Sequence, residues 1–123
     1  MNRRPFASNS DIHKFAVFWL NIFQNSTEER DTFPMQDQMI DLGFDMDSGQ
    51  AFIAAYGLRA LHYYEELQRI IDRITDVQIL CSGIHSAYRG ITHWWTEDVL
   101  DRENREWFIV ALSRLLQLTS DNS

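Results

Sequence analysis

One cysteine, two prolines and a single lysine in 123 residues set the first limits. Cys81 has no second cysteine to pair with, so packing alone must hold the chain together. That is the habit of proteins in a reducing compartment, and a cytoplasmic location is expected. Two prolines and five glycines are too few for a loop-rich or all-β fold, whose turns depend on both. The longest apolar run, "FAVFWL" at residues 15–20, is far shorter than the roughly 20 residues that cross a bilayer. No membrane partner is expected. The opening "MNRRPFASNS" is charged but has no apolar run behind it, unlike a secretory leader. Basic residues are also short, 11 against 18 acidic ones, for a formal charge of −7. This balance works against direct nucleic-acid binding, which depends on neutralising phosphates.

Core material is plentiful. Apolar residues make up 45% of the chain, including eight Phe, four Trp and four Tyr. A chain of this length buries roughly two-thirds of its unfolded surface in one domain. Residues 1–123 are therefore read as a single helical domain with loose ends at 1–9 and 119–123.

Hydrophobic spacing predicts an all-α fold, a compact bundle of about five helices. Asn9 or Ser10 can cap the first, over 11–25, where Ile12, Phe15, Ala16, Trp19, Ile22 and Phe23 share one face. Val17, Phe18 and Leu20 fall outside that face. A helix apolar nearly all round is either central or covered by a second chain, so a homodimer through this helix is expected. "FPMQDQMIDLG" reads as a short helix with Pro34 in its first turn and Gly43 as its stop. A long helical stretch over 48–74 follows, in which Gly57 is either a break or a point of close approach. Asp76 caps a fourth helix, "VQILCSGIHSAYRGITHWW". Bulk at Val77, Leu80, Cys81, Ile84, Tyr88, Ile91 and Trp95 faces one way, and Gly83, Ser86, Ala87 and Gly90 line the opposite flank. This pattern predicts the central helix, buried on two sides. "ENREWFIVALSRLLQL" makes the last helix.

Within the fourth segment, His85, Arg89 and His93 stand at i, i+4 and i+8, beside Trp94. A guanidinium between two imidazoles, next to an indole, can hold an anion or meet a protein partner, and Arg and Trp are common interface anchors. These four residues are the candidate ligand- or partner-binding site. The plainer reading is a solvated helix edge whose Trp plugs the bundle end.

Other motifs carry less. No Glu-x-x-His occurs to match the metal-binding bundles. His62 beside Glu65 and Glu66 has no specific ligand spacing, so neither metal nor cofactor is expected. "DMDSG" at 45–49 lacks the later ligands of a calcium loop, and Asp47 or Ser48 serves better as a helix cap. Cys81 sits in the apolar stripe, and no nucleophile motif is present. Residues 26–50 hold seven acids (Glu28, Glu29, Asp31, Asp37, Asp41, Asp45, Asp47) against Arg30, a local charge of −6. That segment can offer a negative surface to a basic partner, or simply be a solvated connection.

The leading expectation is a non-enzymatic interaction or regulatory module with a protein partner. The alternatives are a His/Arg small-anion or metal site that also draws on His62, with hydrolysis as its chemistry, and an acidic inhibitor that mimics nucleic acid.

Overall fold

A computed structural model of the chain describes residues 6–45, 47, 49–94 and 98–120, Trp94 by its backbone alone. Among the described residues there are seven α-helices and no strand, where the spacing predicts about five helices. The difference lies in one place. The stretch read as continuous from 48 to 74 is three helices, α3 (Gln50–Tyr56), α4 (Leu58–His62) and α5 (Tyr64–Ile70), followed by a 3-10 turn at Ile71–Arg73. Gly57 makes the first break with φ +93°, and among the described residues nothing lies within 4 Å of where its side chain would be. It is a hinge in the path, not a close approach. Tyr63 makes the second with an extended backbone, φ −121° and ψ 127°. A single rod of that length would run about 40 Å. Bent twice, the same segment keeps Phe52, Ala60, Leu61 and Leu67 all inside.

The first helix, α1 (Asn9–Asn25), is capped by Ser8, whose hydroxyl accepts from the Asp11 N–H at 3.2 Å. Neither Asn9 nor Ser10 caps it; the helix starts two residues sooner than the spacing implies. Ile12, Phe15, Ala16, Trp19 and Phe23 are buried, as their shared face predicts. A 3-10 turn at Glu29–Thr32 leads to α2 (Pro34–Asp41), with Met35 and Met39 fully buried. Gly43, at φ +84°, ends it, and the Phe44 N–H closes back on the Met39 carbonyl at 2.9 Å. Phe6 stacks on Phe44, with ring centroids 5.9 Å apart, and the Ala7 N–H donates to the Leu42 carbonyl at 3.0 Å.

The central helix is α6 (Val77–Arg89), capped by Asp76 through the Ile79 N–H at 3.1 Å. It is buried from Leu80 to His85 and again at Ala87 and Tyr88. Its small flank lets neighbours in close: a side chain added at Gly83 would meet the Phe52 ring at 2.5 Å. Gly49, at φ +82°, sits as closely over Ser86. Beyond Arg89 the helix widens into a π-turn at Gly90–Trp94. The last helix, α7 (Arg102–Thr119), buries Trp107, Phe108, Ala111, Leu112 and Leu115.

Helix α7 lies along α1, and this is the most extensive helix pairing. Phe23 and Phe108 stack at 4.7 Å, and His13 Nδ1 shares a 3.0 Å hydrogen bond with the Thr119 hydroxyl. No basic residue of α1 lies in its last turn to meet the unpaired carbonyls there. Arg105 of α7 supplies the charge instead, donating from Nη1 to the carbonyls of Phe23 at 2.6 Å and Ser26 at 2.9 Å. No described helix is long and apolar enough to cross a membrane.

Candidate functional site

The row His85, Arg89 and His93 is divided by the fold. His85 is buried at 2% exposure, because α6 is covered on nearly every side. Among the described residues neither of its ring nitrogens has a hydrogen-bond partner. Burial holds the imidazole below its ordinary pKa; Asp45 pulls the other way, and the Arg89 charge adds to the lowering. Arg89 and His93 are exposed. The π-turn adds a residue to the turn between them, so His93 is rotated off the line that plain α spacing gives. No hydrogen bond or ion pair joins His85, Arg89 and His93. The Trp94 side chain, and Trp95, read as the end of the core stripe, lie outside the described residues.

His62 lines a separate cleft of about 300 Å³ with Leu61, Tyr63, Ile91, Glu103, Asn104 and Trp107. Burial lowers its pKa too. The Trp107 indole N–H is committed to the Ala60 carbonyl at 2.9 Å, and the Arg59 guanidinium lies 5.1 Å from the Tyr63 ring centre. The four histidines thus fall on α1, α4, α6 and the π-turn. Among the described residues no three His, Cys, Asp or Glu side chains come together as metal ligands.

Two other sequence features have local explanations. Asp47 accepts from the N–H groups of Gly49 and Ala51, both at 3.0 Å, and from the Ser82 hydroxyl. It therefore caps α3 and ties that cap to α6. Its burial raises the carboxyl pKa, but those hydrogen bonds outweigh the effect and leave it below the ordinary value. Burial, with Asp76 adding to it, pushes the Cys81 thiol well above its usual pKa. It stays protonated and inert at neutral pH.

The surface feature that stands out is the outer side of α1. Val17 is 51% exposed and Phe18 53%. Among the described residues they are the only sequence neighbours in the set of exposed large apolar side chains; Phe33, Leu58 and Tyr63 stand singly. Leu20, grouped with them in the sequence, is instead half-buried. Phe18 is braced edge-on against Trp19 at 5.0 Å. Beside it runs an open groove of about 420 Å³ between α1 and α2, lined by Asp11, Lys14, Phe15, Phe18, Gln38, Asp41 and Leu42. Trp19 Nε1 donates to Gln38 Oε1 at 3.0 Å, fixing the α2 wall against α1. Apolar floor, charged rim and a projecting aromatic ring are the parts of a docking surface.

Comparison with protein-family models, curated proteins and solved structures finds no match.

Proposed function

We propose that this protein is a non-enzymatic interaction module that docks through the outer face of α1. The observation that carries the reading is the Val17–Phe18 pair, half-exposed on a helix whose opposite face is fully packed. Leaving a Phe and a Val half-exposed side by side forgoes about 1 kcal/mol of burial for each, a cost recovered when a partner covers them. The adjoining groove gives that partner a place to insert.

Arg89 and His93 form a second point of contact within the same reading, together with Trp94. The Arg89 guanidinium has no hydrogen bond or ion pair among the described residues, so it is available to a carboxylate or phosphate. His85, being buried, acts behind that surface and not on it.

A photoactivatable crosslinking residue placed at position 18 tests the proposal in the native host. Position 18 yields adducts of discrete mass, while the same residue at exposed Gln68 on α5 yields none. Equal yields at the two positions sink the α1 reading. Adducts from position 89 alone transfer the docking role to the Arg89 end.

A further inference from the structure

Resting on that reading, we propose that the occupant of the α1 face is a second copy of this chain, packed antiparallel about a two-fold axis between Val17 and Phe18. Two features of the patch favour self-association over an unrelated partner.

The first is shape. An isologous contact needs a projection and a recess on the same patch, because each copy must both give and receive. Phe18 is the projection. The groove whose wall Phe18 itself forms, with Phe15 and Leu42 also in its lining, is the recess, and at about 420 Å³ it has room for a second phenyl ring. Turning one copy about the two-fold carries each Phe18 toward the other's groove.

The second is charge. Each copy carries −7, so most approaches between copies are repulsive. The outer stripe of α1 from Val17 onward, through Phe18, Asn21, Gln24 and Asn25, carries no charge at all. In the antiparallel register Val17 meets Phe18 of the second copy, Lys14 faces its Asn21, and Asp11 faces its Gln24. No like charges oppose one another along the pair of helices. One helix face and one groove per copy fall at the low end of interface sizes, about 800 Å² per partner for a standard one. The dimer is therefore weak, with dissociation in the micromolar range.

Sedimentation velocity of the full chain across the micromolar range tests this. A monomer–dimer equilibrium is expected that tightens on the order of threefold as salt rises and screens the two net charges. Phe18→Asp abolishes the dimer while leaving the monomer's thermal unfolding near that of wild type. The register has its own test. Asn21→Glu sets a carboxylate opposite Lys14 of the second copy and tightens the dimer, whereas Asn21→Lys loosens it.

A chain that stays monomeric at every salt overturns the second copy as occupant. If position 18 still crosslinks a different protein in the host, the docking face stands and only its occupant changes. A dimer indifferent to Phe18→Asp and to both Asn21 variants lies elsewhere on the molecule, and overturns the inference outright.

Discussion

The aromatic ring of Phe52 lies where Gly83 has no side chain: a Cβ there would sit 2.5 Å from its Cδ2 and 2.8 Å from its Cγ. Helix α3 reaches the central helix only because α6 is bare at that point. Gly83→Ala gains up to about 1 kcal/mol of helix propensity. It loses about 1–3 kcal/mol to overpacking against a rigid ring. A net loss of stability is expected in urea unfolding, and restored stability in the double variant Gly83→Ala with Phe52→Leu. A single variant as stable as wild type would mean that α3 yields at no cost.

His85 makes stability depend on pH in a definite direction. Burial lowers its pKa from the ordinary 6.5, so the unfolded chain takes up the proton first as pH falls. Folding stability is then lost progressively below pH 6.5, until the folded-state pKa is passed. His62 is lowered as well and adds the same sign. Asp47, held below its ordinary 3.8, adds its loss only in more acid solution. His85→Leu removes the more deeply buried of these two imidazoles from this balance. Relative to wild type it gains stability between pH 7.5 and pH 5, by at most about 1.4 kcal/mol per pH unit. Parallel pH–stability curves for the two proteins would refute this account of His85.

Arg105 is the third test. Its guanidinium serves two carbonyls at the end of α1 and, through Nε, that of Leu100 at 3.2 Å. Arg105→Met keeps the stem and removes every donor, and should cost about 1.5–3 kcal/mol, the range for hydrogen bonds from a charged group. Hydrogen exchange localises the effect: amides of the last turn of α1 lose protection ahead of those in α6. Uniform loss across all helices would show Arg105 to be general packing and no cap.

The sequence was most informative where packing follows from spacing within one helix. The faces of α1 and α6 were legible because their apolar residues recur at helical intervals, and the glycine flank of α6 did mark a close approach. The bends at Gly57 and Tyr63 were less so. Glycine signals only permission to bend, and Tyr63 carries no local signal at all; the need to cover α6 and α7 decides both. The candidate site met the same limit. Spacing placed His85, Arg89 and His93 on one line, but not the loop at Gly49 that covers α6, nor the π-turn that shifts His93. Arg105 left a faint trace, the missing base in the last turn of α1, that cannot name its donor. The exposed pair on α1 was visible from the start, since Val17 and Phe18 do not fit the buried face.

The link between Arg105 and Phe23 joins residues 82 positions apart. A growing chain therefore completes its first helix long before the cover for that helix exists. Phe23, whose ring stacks on Phe108, waits naked while some eighty further residues leave the ribosome. The newborn polypeptide is most prone to clump in that interval, and any chaperone it needs must arrive then.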